Sequence, residues 1–307
     1  MLCICVIAAP LTASAQVSEV VGSRAAGMGG AFVAVANDST ATWWNPAGLA
    51  AGPFFDMVLA RAAVEVSSDV SRTAMWQNRT SWFALGTPPF GVSYYRFRLT
   101  DIRPFSSTGP TLPDREERGA GVPIRSLAAS QLGVTLVQTV FPGVHTGATL
   151  KYLRGAFDGG DAENQLDVDL GVLATAGAFR LGVRLRNVLE PAIGTVRLER
   201  QTRVGVAFEA EAAGGAPLTI ALDADVDAYE IGSAARRVVA LGAERWLWDR
   251  RVGLRAGGRM NTVGGRERSA TAGASVALRT GVYVDGHVVR GGAADEEGWG
   301  VAARVTF

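Results

Sequence analysis

The sequence predicts an all-β chain closed into an antiparallel transmembrane barrel of about fourteen strands. Three observations carry this: period-two alternation along most of the chain, connections that alternate long and short, and aromatic residues gathered at one end of the segments.

The alternation is the strand signature. Leu166, Val168, Leu170, Val172 and Ala174 alternate with Asp167, Asp169, Gly171 and Leu173. Phe179, Leu181, Val183 and Leu185 alternate with Arg180, Gly182, Arg184 and Arg186. Leu218, Ile220, Leu222, Ala224 and Val226 alternate with Thr219, Ala221, Asp223, Asp225 and Asp227, and Val301, Ala303, Val305 and Phe307 with Ala302, Arg304 and Thr306. Such segments centre near residues 59, 83, 94, 133, 149, 170, 182, 205, 222, 241, 254, 274, 285 and 302. Each is long enough to cross a bilayer when tilted.

A soluble sandwich alternates too, so the connections carry more weight. Short ones follow the second, fourth, sixth, tenth and twelfth segments at Pro88-Pro89, Pro142-Gly143, Gly177, Asp249-Arg250 and Thr280-Gly281. The eighth, around Gly214-Gly215, is a little longer. Long polar ones follow the odd segments: Asp101 to Arg125, Asp158 to Asn164, Tyr229 to Ala235, Asn261 to Ser269 and Gly291 to Gly298. Tight periplasmic turns and longer outer loops are the pattern of an outer-membrane barrel, with both termini periplasmic. Phe90, Phe141, Phe179, Trp246, Trp248 and Phe307 fall near the short-turn ends, as an interfacial girdle would.

Composition excludes several classes. With 30 basic and 29 acidic residues the net charge is +1, which gives no basic stripe for nucleic acid. The 38 glycines favour turns and strands over helices. Leu2 to Leu11 is nearly all apolar and is followed by Thr12, Ala13, Ser14 and Ala15. Residues 1–15 therefore read as a signal peptide cut after Ala15, although no Lys or Arg precedes the apolar run. Cys3 and Cys5 are the only cysteines, so the mature chain offers no disulfide and no thiol chemistry. The two histidines, His145 and His287, with no HExxH helix, argue against a metal site, and no cofactor is expected. There is no Gly-x-Ser-x-Gly elbow, and the expectation is a non-enzyme. Gly27-Met28-Gly29-Gly30 lacks the spacing of a phosphate loop.

The faces opposite the apolar ones line the lumen. They carry Asp167 and Asp169 beside Arg180, Arg184 and Arg186, and Asp223, Asp225 and Asp227 between Arg203 and Arg236. Glu244, Arg251, Arg255 and Arg304 are further inward charges on this reading. The balanced signs suit either a self-neutralising lumen or a polar path with little ion preference.

Between the signal and the first strand runs Gly27-Met28-Gly29-Gly30-Ala31, then Phe32-Val33-Ala34-Val35, an acidic residue, and Trp44-Asn45-Pro46-Ala47-Gly48-Leu49. This stretch resembles the N-terminal motif of FadL-like and PorV/PorQ-like outer-membrane proteins. The resemblance implies that residues 16–52 form a plug inside a barrel spanning 53–307, with Gly27, Gly29, Gly30, Trp44, Asn45, Pro46, Ala47 and Gly48 as the plug motif. It also implies that the terminal Phe307 is read by the barrel assembly machinery. FadL-like members move hydrophobic or amphipathic molecules such as long-chain fatty acids. PorV-like members receive or dock cargo for type IX secretion. The chain is shorter than typical members of either branch, with small outer loops. Transport of a hydrophobic small molecule is the first expectation, with secretion docking and a structural barrel of closed lumen as alternatives. Transport predicts an apolar pocket against the plug and a kink or lateral opening in the wall, with Met57, Phe83, Tyr94 and Tyr95 as candidate contributors. Outer-membrane lipids are the expected surroundings.

Overall fold

The computed structural model describes residues 20–67, 74–102, 124–157, 160–193, 196–211, 217–231, 234–264, 267–291 and 296–307. The expected signal segment, the connection at Gly214-Gly215 and most of the connection after Asp101 lie outside them.

Fourteen antiparallel strands close into a barrel. The first seven are β1 (Asp56–Ser67), β2 (Ala74–Thr87), β3 (Phe90–Ile102), β4 (Ile124–Phe141), β5 (Val144–Phe157), β6 (Glu163–Ala176) and β7 (Phe179–Arg186). The others are β8 (Gln201–Glu211), β9 (Pro217–Asp225), β10 (Val238–Leu247), β11 (Val252–Asn261), β12 (Arg268–Arg279), β13 (Val282–Gly291) and β14 (Glu296–Thr306). Every expected centre falls inside its strand. The seam is β1 on β14, with Met57 opposite Val305 and Val66 opposite Glu296. It extends to Phe55 and Phe307, whose backbones exchange two hydrogen bonds (3.2 and 2.9 Å). Closure leaves no strand edge, which is what lets a sheet sit in hydrocarbon.

The exterior is apolar: Leu59, Leu132, Val134, Leu150, Leu170, Leu181, Leu222, Leu241, Leu254 and Val301 all stand exposed on it. A water-soluble barrel would bury such residues, so this surface suits lipid. Phe90, Phe141, Phe179, Trp248 and Phe307 are exposed at the short-turn rim. Trp246 is not part of that girdle: it is buried and lies inward across Gly253 of the facing strand. Its position in β10 shares the parity of the inward Glu244, which overrides its nearness to the rim.

Residues 20–52 occupy the lumen. They form two short helices, α1 (Ser23–Gly27) and α2 (Ala41–Trp44), and a 3-10 turn at Pro46–Ala51. The turn starts where Asn45, in extended conformation, accepts Ala47 N–H (3.2 Å) and Pro46 supplies a preset φ. Met28, Phe32, Val33, Trp44 and Asn45 are wholly buried, so the core of the molecule lies inside the barrel, between this segment and the wall.

The ladder of β3 runs unbroken from Trp76 opposite Asp101 to Thr87 opposite Phe90 on one side, and from Phe90 opposite Leu136 to Ile102 opposite Ile124 on the other. No register shift interrupts either side of β3. The wall is lowest at β7, the shortest strand, whose pairing with β6 stops at Leu170. Above it the chain turns out of the ladder through positive φ at Asn187 and Glu190 (54° and 50°). A short hairpin of Ala192–Ile193 with Val196–Arg197 follows, and a second pairs Tyr229–Ile231 with Ala234–Arg236.

Candidate functional site: the seam between plug and wall

The wall makes room for the inner segment by omitting side chains. Four cross-strand glycine pairs face inward: Gly86 with Gly91, Gly147 with Gly171, Gly182 with Gly205, and Gly242 with Gly257. A Cβ at Gly147 or Gly182 would stand 2.5 Å from Pro46 C or Val33 O, and one at Gly171 would collide with Asn45 Oδ1. Gly242 and Gly257 meet Met28 in the same way. Backbone therefore lies directly on backbone, which only glycine permits. From the inner side, Gly29 (φ 69°) approaches Gly258 N to 2.6 Å from its Cβ position.

Polar groups then tie the segment down. Arg24 of α1 donates to both oxygens of Glu244 on β10 (Nε to Oε1 2.8 Å, Nη2 to Oε2 2.5 Å). Its Nη1 reaches Asn37 Oδ1 (2.6 Å) and Asp38 Oδ2 (3.0 Å). Arg255 of β11 donates to the same Glu244 (2.6 Å). Asp223 of β9 accepts the Phe32 and Val33 N–H groups (2.7 and 2.8 Å). Asn45 Nδ2 donates to Val33 O within the segment and to Val172 O of β6 (2.9 and 3.0 Å). At the seam Asp56 accepts Arg304 Nε (2.6 Å) and Ser39 N–H (2.8 Å). Pairing of this kind offsets the cost of burying these charges.

The remaining inward charges divide. Lys151 of β5 bridges Asp167 and Asp169 (2.6 Å each), and Arg186 lies 3.7 Å from Asp169. Arg203 and Asp225 pair at 2.6 Å. Arg184 and Arg186 stand over the rings of Trp44 and Trp43, at 5.5 and 3.9 Å from the centroids. Arg180 sits at the short-turn end with Glu209 (2.7 Å), half-buried. Arg251 is not a lumen residue. The turn after Leu247 has positive φ at Trp248, Asp249 and Arg250, and Arg251 ends exposed within it. Asp227 is likewise exposed beyond the end of β9, and Arg236 belongs to the second short hairpin, paired with Glu267 (2.9 Å). Alternation continued past a strand end misplaces all three.

Of the plug motif, Gly27 and Gly29 abut the wall at Gly273 and Gly258, and Gly30 stands beside Trp44. Trp44 Nε1 donates to Val21 O (2.8 Å), while Pro46, Ala47 and Gly48 run along β5 and β6. Sequence reasoning missed Lys151, Arg24, Asp38 and Asp56. Lys151 was findable, because Leu150 and Tyr152 flank it with lipid-facing parity; the other three lie in or beside irregular backbone that has no periodicity to read.

One sector of the lumen is apolar. Trp43 of α2 meets Trp82 and Tyr95 (5.8 and 4.9 Å between centroids), and Tyr95 meets Phe97 (5.6 Å). Leu127, Ala129 and Leu153 continue this surface along β4 and β5, and Ile193 from the first short hairpin rests on Gly155. Trp82 Nε1, Tyr95 Oη and both side-chain polar atoms of Asn78 are buried with no hydrogen-bond partner among the described residues. Of the early-strand candidates only Tyr95 faces inward; Tyr94 is exposed on the exterior, and Met57 and Phe83 share the outward parity of Leu59 and Leu85. Two cavities beside Val20, bordered by β1, β2 and His287, measure about 20 and 10 Å³, room for a water each.

The described residues form a closed fourteen-strand barrel, apolar outside and occupied inside by the N-terminal segment. The chain has the FadL-like barrel fold. It is similar to the toluene transporter TbuX of Ralstonia pickettii, with 13% identity over 94% of this chain and 99% of that one (TM-score 0.69). It is also similar to the P. putida toluene transporter TodX, with 10% identity over 94% and 99% (TM-score 0.63). A Pseudomonas aeruginosa FadL homologue aligns with 11% identity over 93% and 98% (TM-score 0.61). No protein-family model and no curated protein matches the chain.

Proposed function

We propose that the protein admits hydrophobic or amphipathic small molecules through the bacterial outer membrane, past a plug formed by residues 16–52. In this reading residues 1–15 direct export and are removed, residues 53–307 form the barrel, the short turns and both termini are periplasmic, and Phe307 serves assembly. The observation that carries it is the segregated lumen. An apolar stripe, Trp43, Trp82, Tyr95, Phe97, Leu127 and Leu153, interrupted by Gln131 between Tyr95 and Leu153, runs from the plug towards the outer mouth. Paired charges adjoin it, with Lys151 and Asp169 on β5 and β6 and Arg186 over the ring of Trp43, and they continue round the lumen through Arg203 with Asp225 and Arg255 with Glu244. An apolar solute gains by following the stripe, since each buried CH₂ is worth about 0.8 kcal/mol. The unpartnered atoms of Asn78, Trp82 and Tyr95 offer a polar head three donor groups and two acceptor oxygens. The fold neighbours are described as toluene transporters and as a FadL homologue, which supports the same solute class.

The small internal cavities favour, as a second reading, a barrel whose lumen stays shut. Uptake distinguishes the two. In an outer-membrane-bearing host, the protein is expected to raise entry of labelled long-chain fatty acid or toluene above an empty vector. Trp82→Ala with Tyr95→Ala is expected to lower that gain about fivefold, the size of roughly 1 kcal/mol of lost aromatic contact. No gain from a barrel that is folded, as judged by heat-modifiable migration, would leave the shut barrel as the better reading.

A further inference from the structure

The apolar exterior is interrupted on one side. Arg61, Arg79, Arg96, Arg98 and Arg154 point outward from β1, β2, β3 and β5 and are exposed. They stand in the middle or the long-loop halves of their strands, where Leu59, Tyr94, Leu132 and Leu150 occupy the same face nearer the short turns. Arg79 lies directly opposite Arg98 across β2 and β3. Ser81 separates Arg61 from Arg96 along one row of paired residues, and Ser130 separates Arg96 from Arg154. Like charges placed face to face repel, and arginine facing hydrocarbon is costly. Among the described residues none of these five has an ion-pair partner. Beside them a groove of about 750 Å³ opens on the outside of β13, β14, β1 and β2, bordered by Arg61, Gln77, Arg79, Arg290 and Trp299. Among the described residues the acids on this face are Glu65 and Glu297, and Glu297 is engaged by Arg290.

We propose that this face binds an outer-leaflet lipid whose headgroup carries phosphate esters on a sugar, the chemistry of lipid A. Three facts select that occupant. The guanidiniums need fixed anions, and a phosphate monoester accepts the paired hydrogen bonds that arginine donates. An anion between Arg79 and Arg98 turns their repulsion into a chelate. The groove joins this charge to apolar wall at Trp299 and Val288, so one molecule must offer both phosphate and acyl chain. A zwitterionic phospholipid brings its own ammonium and leaves the patch positive. A second copy of the chain would bring the same arginines. The proposal rests on the reading that the long loops face outward, yet its test needs neither transport nor orientation.

The full chain is purified in a mild detergent and titrated, by native mass spectrometry, with bisphosphorylated lipid A, with the same lipid stripped of both phosphates, and with phosphatidylethanolamine. Bisphosphorylated lipid A is expected to bind at least tenfold more tightly than either comparison lipid. Arg79→Gln with Arg98→Gln is expected to lose most of that preference while keeping heat-modifiable migration. Equal binding of the phosphorylated and stripped lipids would overturn the proposal. So would an unchanged preference in the folded double variant, or dimers that form through this face and exclude the lipid. If the double variant does not fold, the two lipid A forms on the unaltered chain still decide.

Discussion

Deleting residues 20–52 is expected to convert a silent barrel into an open, conducting pore. The wall closes without them: every strand is laddered to both neighbours and the β1–β14 seam uses only wall residues. The deleted segment contributes the fully buried Met28, Phe32, Trp44 and Asn45, whose removal empties the lumen from the Gly242–Gly257 pair to the Gly147–Gly171 pair. The charges that remain facing inward, Asp223, Glu244, Arg255 and Lys151, would hold water. In planar bilayers the intact protein should show no steady conductance and the deletion a large one, with migration in gels still heat-modifiable. A folded deletion that remains electrically silent would mean that the wall, not the inner segment, occludes the lumen.

Glu244→Ala is expected to be the most damaging single substitution on the wall. Glu244 is buried and answers two arginines, Arg24 from the inner segment and Arg255 from the neighbouring strand. Removing it leaves two guanidiniums buried beside one another, with Asp38 the nearest compensation for Arg24 and Asp285 (3.6 Å) for Arg255. Breaking a buried pair from one side costs about 3–5 kcal/mol, against about 0–1 for an exposed pair. Chemical denaturation of the refolded protein should show that loss, and small conductance events should appear as the inner segment loosens. Glu244→Gln keeps an acceptor and should lose less. A loss within about 1 kcal/mol for the alanine variant would show that the network holds nothing in place.

The barrel was legible because two signals with different origins agree. Period two reports which face meets hydrocarbon, and the long–short rhythm of connections reports which end of each strand is which. Charge parity likewise put Asp167, Asp169, Arg184, Arg186, Asp223, Asp225, Glu244, Arg255 and Arg304 inside. What parity does not encode is where a strand stops. Arg251, Asp227 and Arg236 lie past such ends, and Trp246 was assigned by height when its facing was decided by parity. Pairing was also out of reach. Asp223 sits on a strand next to the one bearing Arg203, yet it caps Phe32 and Val33 N–H groups of the inner segment. Arg203 goes to Asp225 instead. Only the path of an irregular segment fixes that choice. The glycine pairs were visible as glycines, but their alignment across neighbouring strands depends on register, which a sequence gives only within a residue or two.

The proposed passage of solutes past the inner segment is open to a direct lock, since a segment that gives way to solute must move. No cysteine occurs beyond Cys5, so an introduced pair would be alone. Ser39 lies on the inner segment and Gly86 on β2, and a Cβ at Gly86 would stand 3.8 Å from Ser39 Cβ, the separation a disulfide requires. Uptake of labelled long-chain fatty acid or toluene is measured for Ser39→Cys with Gly86→Cys, oxidised and then reduced. Uptake that falls to the empty-vector level on oxidation and returns on reduction is the expected result. Undiminished uptake by fully cross-linked protein would contradict a moving plug.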